Sequence, residues 1–302
     1  MKYRTLGNTG ISVSEIGFGA GGKFGMADKI TDGKSADLVK LAIELGINFF
    51  DTASSYGFGL SEKRLGMALK GNRDKVYIAT KCFSMTVGEG KEAEVIQDYT
   101  AKGITRSVED SLRRLQTDYL DIIQLHSPPW KIIEQTDEPI RAIEDIKKSG
   151  KARFIGISKD GEKAVDALNM NVFDTLQIGY NVMNQSAMAE ALPLAADKGV
   201  GIIIKTPAAQ SVFLREAAKP PEDWMEKTWN KRNHYDFLND YDMHGTEIAL
   251  RFVLDSELVH TVIQATTSSG HLRNNIKASD GEKLDNAIIN KITHAWRQTE
   301  SA

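Results

Sequence analysis

Apolar and polar positions along this chain fall into two alternating patterns. Short runs rich in Val, Ile and Phe recur at 15–20, 48–53, 76–81, 121–126, 153–158, 175–181, 201–205 and 261–266. Several are apolar throughout, as parallel strands covered on both faces require. Between them apolar residues recur three and four apart, the spacing of one buried helical face. Leu38, Leu41, Ala42 and Leu45 make one such stripe, with Ser35 as its expected N-cap and Gly46 as its stop. Ile104, Val108, Leu112 and Leu115 make another, and Ile140, Ile143 and Ile146 a third that ends in Lys147, Lys148 and Gly150. Further helices are expected at 61–70, 162–168, 186–198, 246–255 and 269–276, and an extra C-terminal one at 281–296. The Asn8-Thr9-Gly10 turn within residues 2–14 predicts a β-hairpin ahead of the first strand.

Eight strand–helix repeats predict an α/β protein, a (β/α)8 TIM barrel with an N-terminal β-hairpin and an extra C-terminal helix, built as one domain over 1–302. An open doubly wound sheet would want a glycine fingerprint after its first strand, and GFGAGG at 17–22 is a weak match. The one long irregular stretch, 206–245, carries Trp224, Trp229, His234 and Tyr235. Loops of that length commonly act as lids or binding loops; packing of the aromatics on the barrel rim is the alternative.

Composition excludes several classes of function. The 302 residues are 41% hydrophobic with a net charge of -3, so no basic excess points to nucleic acid. No apolar run approaches the ~20 residues of a membrane helix. The opening MKYRTLGNTG lacks the apolar stretch of a signal peptide. A single cysteine, Cys82, allows no intrachain disulfide and is expected to be a small packed thiol. The expectation is a cytoplasmic protein with no metal site and no nucleic-acid or membrane partner.

In a barrel of this kind the chemistry lies at the C-terminal ends of the strands. Those ends offer Asp51 with Tyr56 just beyond it, then Lys81, then His126. Each has an ordinary structural use: a cap, a rim aromatic, a surface charge, a turn partner. All four at neighbouring strand ends suit one reaction. Reducing a carbonyl leaves an alkoxide that needs a proton, and a tyrosine, with its ordinary pKa near 10, is the protonated acid at neutral pH. An ammonium stabilises the phenolate left behind, a carboxylate anchors that ammonium, and an imidazole orients the substrate oxygen.

Beyond these residues, GINFFDTASSYGFGLSEKRLGMALK (46–70), ATK (79–81), LHSPP (125–129), GKARFIGIS (150–158), QIGYN (177–181) and HLRNN (271–275) resemble the aldo-keto reductases along nearly the full chain. The resemblance implies a (β/α)8 barrel, a monomer, a small-molecule carbonyl substrate, an NADP(H) cofactor with NAD(H) as the alternative, and Asp51, Tyr56, Lys81 and His126 as a catalytic tetrad. It implies cofactor contacts from Gly19 and Ala20, from Ser158 and Gln177 to the nicotinamide carboxamide, and from Thr206 and Pro207. Lys159 stands where the family usually has Asn, and Lys205 where an aromatic often stacks on the nicotinamide. Ala265 and His271 replace the Lys and Arg that in many members grip the 2′-phosphate. Thr266, Thr267, Ser268 and Arg273 are the phosphate donors left, with Asn274 and Asn275 near the adenine, and a helix beginning near Ser269 offers its N-terminus. Phe24 and Trp130 are candidates for the substrate pocket.

Two other readings stand beside the reductase. A Schiff-base lyase would use Lys81 or Lys205 as its amine. A cofactor-binding regulatory subunit, a role some members of the family fill, would be favoured by an incomplete tetrad, and this one is complete.

Overall fold

The computed structural model describes residues 1–82, 84–87, 94–214 and 225–300. The chain opens with an antiparallel hairpin, β1 (Tyr3–Thr5) and β2 (Ser12–Ser14). Eight parallel strands then close into a barrel. They are β3 (Ile16–Gly19), β4 (Phe49–Asp51), β5 (Tyr77–Cys82), β8 (Leu120–His126), β9 (Ala152–Ser158), β10 (Thr175–Gly179), β11 (Gly201–Lys205) and β12 (Thr261–Ala265). Between β5 and β8 an antiparallel pair, β6 (Ser84–Val87) with β7 (Glu94–Gln97), stands outside the barrel, and the apolar pattern does not anticipate it.

The main crossover helices are α1 (Asp32–Glu44), α2 (Leu60–Ala68), α3 (Ala101–Leu115), α5 (Glu138–Lys148), α6 (Glu162–Asn169), α7 (Ala191–Asp197), α9 (Gly245–Leu254) and α10 (Ser269–Asn275). Shorter ones, α4 (Trp130–Gln135) and α8 (Glu226–Asn230), ride on the loops, and α11 (Asn286–Glu300) closes the described chain. The expected stripes face inward: Leu38 and Ala42, Ile104 and Val108, and Ile140, Ile143 and Ile146 are all buried.

Side chains alternate across each strand, so every strand has one face inside the barrel. Phe49, Ala79, Ile122, Ile203 and Ile263 fill the lower interior, and Leu6, Ile11 and Val13 of the N-terminal hairpin pack beneath them as a plug. The plug sits at the N-terminal ends of the strands, where Asn8 N donates to the Gly199 carbonyl at 2.7 Å.

Three expectations need correction. Ser35 lies inside α1, and the cap is Thr31, whose hydroxyl accepts from the Lys34 amide at 3.3 Å. The C-terminal helix starts at Asn286 rather than 281, because the Asp285 carboxylate captures the Ala287 amide at 2.7 Å and ends the irregular approach. In 206–245, Trp229 and Tyr235 are buried in the core while His234 is exposed, so these two aromatics pack rather than line a mouth. Trp224 lies outside the described residues. Among the described residues no helix is long and apolar enough to cross a membrane, and no group of His, Cys, Asp and Glu is placed to hold a metal. Cys82 is buried and its thiol is pushed up to about 12 by desolvation, which keeps it an inert packing group.

Candidate active site

The two-residue period that puts Phe49, Ala79, Ile122 and Ile203 inside the barrel puts Asp51, Lys81, Gln124 and Lys205 on the same inward face one step nearer the C-terminal end. His126 follows Gln124 by the same step, on β8. Lys81 is 1% exposed, and its ammonium donates to both Asp51 oxygens at 2.6 and 2.8 Å and to the Thr52 carbonyl at 2.8 Å. The Tyr56 hydroxyl stands 3.5 Å from the same nitrogen. The rings of Tyr56 and His126 meet edge to face with centroids 6.0 Å apart. The sequence reading thus names four residues, from three strands and one loop, that share one site.

Tyr56 is held by close backbone contact between the loops after β3 and β4. Gly57 has φ +57, and a Cβ there would fall 1.7 Å from the Gly25 carbonyl oxygen, so only glycine allows this approach. Arg64, buried on α2, fixes the first of these loops by donating to the carbonyls of Phe24 and Ile30 at 2.5 and 2.7 Å.

Burial governs the electrostatics. It raises the Tyr56 phenol above its ordinary value, and the attraction of Lys81, aided by a hydrogen bond, only partly offsets that. For Lys81 burial works against the ammonium, but the charge of Asp51, with hydrogen bonds to Asp51 and Tyr56, outweighs it, and the net shift is upward. His126 is pushed down to about 3 by desolvation first and by the charges of Lys81 and Lys205 second, so it is neutral across the physiological range.

The residues assigned to a cofactor fall into two groups. Near the tetrad, Gln177 donates its side-chain amide to Asp51 Oδ2 at 2.9 Å, and Ser158 lies beside Lys205, Nζ to Oγ 3.3 Å. Lys205 is turned into an ion pair with Asp160 at 2.7 Å, and Lys159 donates to the Pro128 carbonyl at 2.7 Å. Gly19 ends the first barrel strand beside Asp51, whose carbonyl accepts from the amide of the next residue, Ala20, at 2.8 Å. The Thr206 carbonyl accepts from Asn181 at 3.0 Å, and Pro207 follows it.

The second group lines a cleft of about 470 Å³ over β3 and β12: Ala265, Thr266, Thr267, Ser268, His271, Asn274 and Asn275. Ser268 caps α10, its hydroxyl accepting from the His271 amide at 3.3 Å, so one of the helix-end donors is already engaged. Phe24 lines the same cleft and packs edge to face on Phe18 at 5.4 Å. Trp130 opens α4 four residues after His126, with Lys163 Nζ 5.6 Å from its ring centre.

Other residues escape the sequence reading. Gln124 reaches Asp51 Oδ2 at 3.5 Å, and a glutamine in the apolar run DIIQLH was the available signal. Gln210, Ser211, His244, Thr246 and Glu247 also line the cleft, as does Lys23 from the loop after β3. Ala209, Gln210 and Ser211 all have left-handed φ, 44° to 58°, a strained run of three non-glycine residues at the cleft edge. No periodic signal marks such a segment.

Comparison with known proteins agrees with this geometry. The family model described as Aldo/keto reductase family matches residues 15–297. L-galactose dehydrogenase of Arabidopsis thaliana is 32% identical over 290 residues, 92% of this chain and 88% of that protein. The NADH-specific methylglyoxal reductase of Escherichia coli is 26% identical, covering 92% of this chain and 93% of its own. Among solved structures, the holo form of aldo-keto reductase AKR11C1 from Bacillus halodurans superposes with a TM-score of 0.81 at 29% identity, over 98% of this chain and 96% of that one. On this match the chain belongs to the aldo/keto reductase family.

Proposed function

We propose that this oxidoreductase reduces an aldehyde, ketone or sugar carbonyl to the alcohol with NADP(H) or NAD(H), and that Tyr56 gives the proton. The observation that carries the reading is the chain of contacts at the strand ends from Asp51 through Lys81, both buried, to the hydroxyl of half-buried Tyr56. Tyr56 is kept protonated by burial, so it holds the proton that the developing alkoxide takes. As the phenolate forms, the Lys81 ammonium 3.5 Å away takes up its charge, and Asp51 keeps that ammonium in place. Neutral His126, beside the phenol, orients the substrate oxygen without competing for the proton.

The donor set fits a dinucleotide. Hydroxyls of Ser211, Thr266, Thr267 and Ser268 and amides of Asn274 and Asn275 line the cleft, which suits ribose and phosphate oxygens. Ser158 and Gln177 would meet the carboxamide beside the tetrad. When bound there, the nicotinamide supplies the hydride.

The Schiff-base alternative lacks a free amine. Lys81 is spent on Asp51 and Thr52 and held protonated, and Lys205 is paired with Asp160. The deciding assay follows loss of reduced-cofactor absorbance with NADPH or NADH across aldehydes, ketones and sugars. Turnover is expected with part of that panel. No turnover with either cofactor, or substrate trapped on the protein by borohydride, would sink the reading.

A further inference from the structure

Three lysines beyond β9 and β11, Lys159, Lys163 and Lys205, stand near enough for their charges to act on one another. Lys205 is neutralised by Asp160 at 2.7 Å, and Lys163 by Asp166 and Glu134 at 2.8 and 3.6 Å. Lys159 differs from both. It is half-buried, its ammonium donates to the Pro128 carbonyl at 2.7 Å, and among the described residues it forms no ion pair. Its partner carbonyl lies two residues beyond His126 and two before Trp130. Burial, reinforced by the neighbouring charges of Lys205 and Lys163, disfavours this ammonium, and Asp160 offsets that only in part. A half-buried ammonium that is held by a carbonyl alone, with no carboxylate in contact among the described residues, can gain a charge-assisted bond from an anion that arrives from outside.

The position argues for the substrate as the source of that anion. The 470 Å³ cleft assigned to the adenosine end of the cofactor opens over β12 and β3. In the closed order β10-β11-β12-β3-β4-β5-β8-β9, β8 stands four strands from β12, on the far side of the barrel. Pro128 follows β8, so the Lys159 ammonium lies across the mouth from that cleft and on the side of Trp130.

We propose that Lys159 is a specificity-determining residue that binds the carboxylate of an anionic carbonyl substrate, such as an oxo acid or a sugar acid, while the carbonyl group faces Tyr56 and His126. The inference rests on the carbonyl-reductase reading. No new covalent step is involved; the ammonium exchanges the Pro128 carbonyl for a substrate carboxylate.

The test compares pairs of substrates alike except in charge: succinic semialdehyde against butanal, and D-glucuronate against D-glucose. The readout is the ratio of kcat/KM within each pair, in which any effect on the cofactor cancels. Wild type is expected to favour the anion by about ten- to a hundredfold, the range of one charge-assisted hydrogen bond. Lys159→Met is expected to bring the ratio close to one, mainly through KM of the anion, and Lys159→Arg to restore most of it. A wild-type ratio near one in both pairs, with the neutral aldehydes reduced, would overturn the proposal and leave the reductase reading standing. So would a ratio unchanged in Lys159→Met while the dissociation constant of NADPH or NADH rises tenfold or more, since the ammonium would then serve the cofactor's diphosphate. Reduction of none of the four, while other aldehydes or ketones of the panel are turned over, would likewise overturn the proposal and leave the reductase reading standing.

Discussion

Tyr56 and His126 touch the same space, yet burial acts on them in opposite directions, raising the phenol and lowering the imidazole. Both shifts favour the neutral form, which for tyrosine is the acid and for histidine is a hydrogen-bonding group that leaves the proton to its neighbour. Two outcomes follow at this scale. Tyr56→Phe is expected to lower kcat by ~10²–10⁴-fold, the usual contribution of a positioned acid, with cofactor dissociation constants close to wild type. A variant that kept most of its turnover would remove Tyr56 from the role of acid. The pH profile of reduction is the second. His126 gains a proton only near pH 3, so no acid limb is expected around the ordinary imidazole value of about 6.5. The rate should hold through neutrality and fall only in the alkaline range, where Tyr56 loses its proton. An acid limb between about pH 6 and 7, absent in His126→Asn, would show a charged imidazole at work.

The segment that follows β12 illustrates the element scale. Strand, turn and helix place Ala265, the three hydroxyls at 266–268 and His271 along one cleft wall, with Ser268 committed to capping α10. Two cations frequent in the family are missing from this wall, and Glu247, held by Arg251 at 2.9 Å, brings a carboxylate to the same cleft. Each charge-assisted bond to a phosphate contributes on the order of 1.5–3 kcal/mol. The preference for NADPH over NADH is therefore expected to be within about tenfold either way, smaller than two such bonds would produce. Titration of both reduced cofactors by fluorescence checks this. A preference for NADPH above about a hundredfold would mean that other donors, Lys23 at the cleft or Arg273 on α10, hold the phosphate.

At the scale of the whole molecule the barrel divides its labour between two ends. The tetrad occupies the C-terminal ends of the strands, and the hairpin plug of Leu6, Ile11 and Val13 closes the other end against Phe49, Ile122 and Ile203. Leu6 is fully buried and Gly201 accepts it without room for a Cβ, which would lie 2.6 Å from its Cγ. Leu6→Ala is expected to destabilise folding by about 2–5 kcal/mol, the range for emptying a packed core site. Because the plug does not touch the tetrad, kcat of the folded fraction should change by less than about threefold. Urea unfolding beside steady-state kinetics separates the two effects, and a large loss of kcat in fully folded protein would show that the ends are coupled.

Asp51, Lys81 and His126 were legible because alternation along a strand is local: once the apolar inward residues are known, the polar ones a step or two further on share their face. Repeated local patterns likewise determined the number of strand–helix units, and hence the barrel. The β6–β7 hairpin and the burial of Trp229 and Tyr235 left no periodic mark, since irregular segments take their shape from what they pack against. The clamp between Gly25 and Gly57, the pairing of Lys205 with Asp160 and the lone ammonium of Lys159 were decided only by tertiary structure. Each joins residues from separate loops, and which loops meet depends on closing the barrel, a long-range event that no sequence window contains.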